Sequence, residues 1–149
     1  MTEQSAIMNR FNKLIQIRYR LYCRGAIARK IAIWMSYIIR WYYHCEIPYT
    51  INPHGVFFCH YGFGIVINPN TVIGEGTYIQ HDVTIGSRDD LGQREAPVIG
   101  KNCYIGAKAT IIGDIKIGDN VKIGAGAVVI SDIPSNSTAV GVPAKIIVK

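Results

Sequence analysis

The chain reads as mainly β, a parallel β-helix wound from six-residue repeats and preceded by an α-helical hairpin. Two observations predict the coil. Aliphatic residues recur at every sixth position, at Ile67, Ile73, Ile79 and Ile85 and again at Ile99, Ile105, Ile111, Ile117, Ile123 and Val129. Glycine follows them at 74, 86, 100, 106, 118 and 124, and a small or β-branched residue stands four places after them, as in Thr71, Thr77, Val83, Cys103, Ala109, Val121 and Ala127. A third observation predicts the hairpin: ahead of the repeats, apolar residues are spaced three and four apart, as on one face of a helix.

A period of six matches neither a helix nor a plain strand alternation, so it is read as a structural repeat. Each unit points one aliphatic inward and turns on Gly, Asn or Asp. Three units close a triangular turn of about 18 residues. The isoleucines then stack in columns and bury one another, because no single six-residue face excludes water alone. Asn70, Asn102 and Asn120, with the glycines, suit corners of positive φ. Short strands in a sandwich would be spaced more loosely.

The chain divides into a helical segment, residues 1–45, and a coil, residues 46–149. A first helix over 5–23 carries Ile7, Phe11, Leu14, Ile17 and Leu21 at helical spacing, and Gly25 ends it. A second helix over 26–43 aligns Ile27, Ile31, Trp34, Ile38 and Tyr42. This stripe is expected to cap the open first coil, since solenoid ends must be covered. Pro48 and Pro53 mark the passage into irregular early faces. Fourteen residues separate Ile85 from Ile99, so Gly86 to Pro97 contains an inserted polar loop, the kind of segment that carries binding residues on a rigid scaffold. Asp89 and Asp90 in it read as solvated charges. The rhythm is expected to end at Asp132, followed by a short tail, Val140–Lys145.

The formal net charge is +6, and the excess sits in the first segment. Arg10, Lys13, Arg18, Arg20, Arg24, Arg29, Lys30 and Arg40 face only Glu3 before residue 46. A basic, aromatic-rich hairpin over residues 5–43 also suits peripheral contact with an anionic membrane surface. No recognised nucleic-acid module accompanies the charge. Cys23, Cys45, Cys59 and Cys103 show no C-x-x-C spacing, and no secretory signal or spanning segment is read, so the expected setting is a reducing cytoplasm.

His60 is the first candidate for chemistry. It lies beside two nearby glycines that permit close approach, and imidazole can take a proton near neutral pH when an acid orients it. Glu46, about one coil upstream, is the candidate acid. The alternative reading of His60 is a hydrogen-bonded structural residue. His81 is the second candidate, alternatively a surface or subunit-contact residue.

The segment Cys59-His60-Tyr-Gly-Phe-Gly-Ile-Val-Ile67, the run Val83-Thr-Ile-Gly86, the loop and the ending Gly141-Val-Pro-Ala-Lys145 resemble the serine O-acetyltransferase branch of the hexapeptide-repeat acyltransferases over about residues 46–147. The resemblance implies a left-handed coil, a homotrimer and acetyl-CoA bound between neighbouring coils. It implies His60 as general base, Glu46 as its acid, and Gly86, Ser87, Ala107, Lys122 and Ala125 as acetyl-CoA contacts. Lys122 and Lys145 are suited to the phosphates. Some hexapeptide coils bind zinc through three histidines, two of them five apart; His44, His54, His60 and His81 lack that spacing, so no metal is expected.

Two departures bear on the acceptor. Cys59 precedes the base where serine acetyltransferases carry Asp, and Glu95-Ala96 precede Pro97 where they carry Arg-His. The expected activity is therefore acetyl-CoA-dependent O-acetylation of a sugar or glycan hydroxyl, of the capsule, exopolysaccharide or O-antigen type. The alternatives are serine O-acetylation and a non-catalytic scaffold.

Overall fold

Gly74, Gly100 and Gly118 form one corner column in which no side chain fits. A Cβ on Gly74 would come within 2.5 Å of the Gly100 carbonyl carbon, and one on Gly100 within 2.7 Å of that of Gly118. Such close approach lets successive turns stack. The computed structural model describes residues 3–88 and 95–147; the loop residues 89–94, with Asp89 and Asp90, lie outside them.

Two helices lead the chain, α1 (Glu3–Cys23) and α2 (Ala26–Tyr43). Among the described residues thirteen short strands follow: β1 (Phe57–Phe58), β2 (Val66–Ile67), β3 (Val72–Ile73), β4 (Tyr78–Ile79), β5 (Thr84–Gly86), β6 (Val98–Ile99), β7 (Tyr104–Ile105), β8 (Thr110–Ile112), β9 (Lys116–Ile117), β10 (Lys122–Ile123), β11 (Val128–Val129), β12 (Thr138–Val140) and β13 (Lys145–Ile147). They form three faces of a prism, ordered β1-β4-β7-β10-β12-β13, β2-β5-β8-β11 and β3-β6-β9. All pairings are parallel except β12 with β13. The molecule is a left-handed parallel β-helix with an N-terminal helical pair.

Register explains the six-residue period. Ile105 lies opposite Ile123, eighteen residues on, and Ile99 opposite Ile117. Across the insertion Val72 pairs with Val98, Tyr78 with Tyr104 and Thr84 with Thr110. Each face thus absorbs the same eight extra residues without losing alignment. Ile79, Ile85, Ile99, Ile105, Ile111 and Ile123 are buried, with Val83, Ala109, Val121 and Ala127 filling the second inward position.

Winding does not stop at Asp132. Ile133 bridges Ile117 and β12 pairs with β10, so the coil completes a last turn shortened to sixteen residues. The tail then folds back, β13 running antiparallel to β12.

The hairpin also departs from expectation. The coil is capped by α1, through Phe11, Asn12, Ile15 and Arg18, all buried. The Asn12 carboxamide accepts from the Phe58 N–H (3.0 Å) and donates to the Phe58 carbonyl (3.2 Å), pairing the free edge of β1. Phe11 packs edge-on to Phe58 and Tyr43. The Arg18 guanidinium donates to the carbonyls of Ile47 (2.8 Å) and Pro48 (3.1 Å). The inward face of α1 is rotated from the one the apolar spacing predicted, leaving Ile17 exposed. On α2 the inward residues are Ala32 and Ile39, while the predicted capping stripe, Ile27, Ile31, Trp34, Ile38 and Tyr42, faces outward.

Candidate active site

The first coil carries three residues that later coils lack at the same corner. Phe57 pairs with Tyr78, twenty-one residues on, whereas Val66 pairs with Thr84, only eighteen on. The surplus is taken up by the 3-10 turn His60–Gly62 between β1 and β2. It begins with His60 in the left-handed region, at φ 48°, and lifts that residue out of the strand into solvent. Its imidazole meets the ring of His81, one coil further along, edge-on with centroids 4.9 Å apart.

Below this turn the corner is regular. The N–H groups of Gly64, Asp82, Lys108 and Gly126 donate to the carbonyls of His44, Phe63, His81 and Ala107. The column therefore runs His44, Phe63, His81, Ala107, Ala125, aromatic at the hairpin end and small at the other. Where it becomes small, a groove of about 360 Å³ opens, lined by Gln80, Tyr104, Ala107, Lys122, Ala125 and Thr138 among others. Gly106 and Gly124 complete its floor, a Cβ on Gly106 being blocked by the Ala125 backbone nitrogen at 2.6 Å.

The sequence-predicted residues separate into groups. His60 abuts His81, one coil before Ala107 in the corner column; Ala107, Lys122 and Ala125 line the groove. Lys145 opens β13, opposite Val140 on the same face. Gly86 and Ser87 lie at the far end of the neighbouring face, where Gly86 faces open space. Glu46 is exposed and pairs with Arg40 of α2 at 3.4 Å. Sequence reading missed Gln80, Tyr104 and Thr138, because the insertion conceals that Tyr78, Tyr104, Lys122 and Thr138 share one register column.

Burial pushes the Cys59 thiol, next to His60, above its ordinary range, and does the same to Cys103. Cys45 is pushed up to about 11 by burial, against the lowering influence of the Arg18 charge. Such thiols are protonated and poor nucleophiles near neutral pH. The His81 Nδ1 is buried and has no hydrogen-bond partner among the described residues. Among those residues no group of three or more His, Cys, Asp or Glu side chains gathers as metal ligands would.

Comparison with known proteins places this geometry. The family described as bacterial transferase hexapeptide (six repeats) matches residues 96–131. A serine acetyltransferase of Synechocystis sp. is 41% identical over 114 residues, 76% of this chain and 45% of that protein. WcaB of Escherichia coli K12, assigned as a colanic acid biosynthesis acetyltransferase, is 42% identical over 92 residues, 62% of this chain and 56% of WcaB. A crystal structure of serine acetyltransferase from Brucella abortus in complex with coenzyme A covers 91% of this chain with a TM-score of 0.79 at 29% identity, the match spanning 53% of that protein. The chain thus spans about half the length of these relatives. Repeats, register and relatives agree, and the chain belongs to the hexapeptide-repeat transferase family, on its serine acetyltransferase-like branch.

Proposed function

We propose that the chain is an acetyl-CoA-dependent O-acetyltransferase acting on a hydroxyl of a sugar or glycan precursor, with residues 46–149 as the acyltransferase domain. The observation that carries this reading is an exposed His60, raised on its three-residue turn against His81, whose corner column continues into Ala107 and Ala125 of a groove that Lys122 also lines. An extended thioester arm needs backbone approach, which Ala107 and Ala125 permit, and Lys122 and Lys145 supply charge for phosphates.

In the proposed reaction His60 takes the acceptor's hydroxyl proton as that oxygen attacks the thioester carbonyl carbon. A backbone N–H near Gly86 or Ser87 steadies the oxyanion. The carbon–sulfur bond then breaks and the imidazolium returns the proton to sulfur, leaving an O-acetyl ester and free CoA. Transfer is direct, in keeping with the raised Cys59 thiol beside the base. Glu46 is the proposed orienting acid and must exchange its Arg40 partner to act. Because Gly86 and the groove lie at different corners of one protomer, a cyclic homotrimer is the assembly that would bring one chain's Gly86 to its neighbour's groove.

The altered residues at 59 and 95–96 and the likeness to WcaB favour a glycan acceptor. The likeness to serine acetyltransferases supports serine as the second reading. Following thiol release from acetyl-CoA with L-serine and with nucleotide sugars separates them. Turnover with sugars and none with serine is expected; the reverse selects serine, and failure to bind acetyl-CoA in calorimetry defeats both. In that assay Glu46→Gln should lower turnover while Arg40→Ala does not.

A further inference from the structure

The outward side of α2 carries a stripe of large apolar side chains. Ile27, Ile31, Trp34, Ile38 and Trp41 follow one another at intervals of four and three, so they form one stripe. Ile27 is 80% exposed, Trp34 64% and Trp41 78%, and Tyr37 and Tyr42 flank them, both exposed as well. The buried residues of α2 are Ala32 and Ile39 instead. A contiguous apolar surface of this kind marks a docking site. None of these residues lines the groove beside Ala107 and Lys122.

We propose that this face of α2 docks on an anionic membrane surface, its aliphatic and indole side chains entering the lipid interface and the surrounding cations meeting the headgroups. Charge decides between this and a second copy of the chain. Helix α2 contains Arg29, Lys30 and Arg40, the last paired with Glu46, and no acid occurs anywhere from residue 4 to residue 45. Lys30 lies three residues after Ile27 and four before Trp34, adjacent to the stripe. Pairing two such faces would bring cations against cations, whereas an anionic surface complements them. Indole and phenol rings beside Lys and Arg on an amphipathic helix are the composition of helices that lie in the interfacial plane. Among the described residues no helix is long and apolar enough to cross a membrane, so α2, about 27 Å long, lies along the surface. The docking does not depend on the acetyl-transfer reading.

The chain's only two tryptophans, Trp34 and Trp41, both lie on the proposed face, so indole emission reports on it alone. The full-length protein is mixed with vesicles of phosphatidylcholine alone or with about one-third phosphatidylglycerol, and flotation and emission are followed. The expected result is flotation at least about tenfold stronger with the anionic vesicles, a blue shift of emission, and weakening by salt. Trp34→Asn combined with Ile38→Asn should abolish flotation, and Lys30→Glu should weaken it, circular dichroism verifying the fold of each variant. Unshifted emission without flotation overturns the proposal, as does equal binding to neutral vesicles. Emission already blue-shifted without lipid, in an oligomer that the Trp34→Asn, Ile38→Asn variant dissociates, overturns it in favour of self-association.

Discussion

The imidazole of His60 stands edge-on to that of His81, the planes 77° apart. The pair exists because three extra residues between β1 and β2 displace His60 toward the next coil. His60 is exposed, while His81 is half-buried with its Nδ1 shielded from solvent. One ring can meet an acceptor and the other supports it.

Replacing His60 by Ala should therefore lower kcat by about 10²- to 10⁴-fold, the usual worth of a general base, with acetyl-CoA affinity unchanged in calorimetry. His81→Ala should reduce kcat less, up to about a hundredfold through mispositioning, with KM for acetyl-CoA unaltered. A His60→Ala enzyme within a few-fold of wild type ends the general-base assignment.

Gly86 and Gly100 should respond oppositely to the same added methyl. At Gly100 the Cβ would collide with the Gly118 backbone, so Gly100→Ala is expected to destabilise the coil by about 1–3 kcal/mol. At Gly86 it meets only open space. Gly86→Ala should keep the thermal midpoint, yet raise the KM for acetyl-CoA if the cosubstrate passes there. Unchanged kinetics in a stable Gly86→Ala protein would remove this glycine from the proposed site.

Arg18 ties the hairpin to the coil through two backbone carbonyls. Burial holds its guanidinium down at about 10, so the charge is desolvated. Arg18→Met removes that charge but strands the carbonyls, for a net loss of about 2–4 kcal/mol. Limited proteolysis should then cut the variant within residues 10–45 ahead of the coil; an unchanged cleavage order counts against the clamp.

Alkaline pH should weaken the fold through its buried thiols. The folded-state value of Cys45, about 11, lies above the ordinary thiol value of 9, so its contribution is complete below about 9 and lost as pH rises through about 11. Cys59 and Cys103 shift in the same direction. Arg18 opposes them, since a lowered guanidinium favours the folded state only above about 10. Thermal midpoints should fall from pH 9 to pH 10, less steeply in Cys45→Ala. At pH 8 an aromatic disulfide reagent should label exposed Cys23 first and the other cysteines only on unfolding. Early labelling of Cys59 would contradict its burial.

Much of the coil was legible in the chain because a period of six repeats a local rule: one aliphatic inward, one tight corner. The insertion after Ile85 was legible for the same reason. The last turn was not: shortened to sixteen residues, it breaks the period while keeping the hydrogen bonds of β12 to β10. Periodicity also could not orient α2. It identified Ile27, Ile31, Trp34 and Ile38 as one stripe, but which side of a helix is buried depends on what packs there, and Ala32 and Ile39 are the residues buried instead. Tertiary structure alone brought His60 to His81 and opened the groove beside Ala107 and Lys122. Those contacts join residues from different coils, and stacking, not sequence spacing, sets their distances.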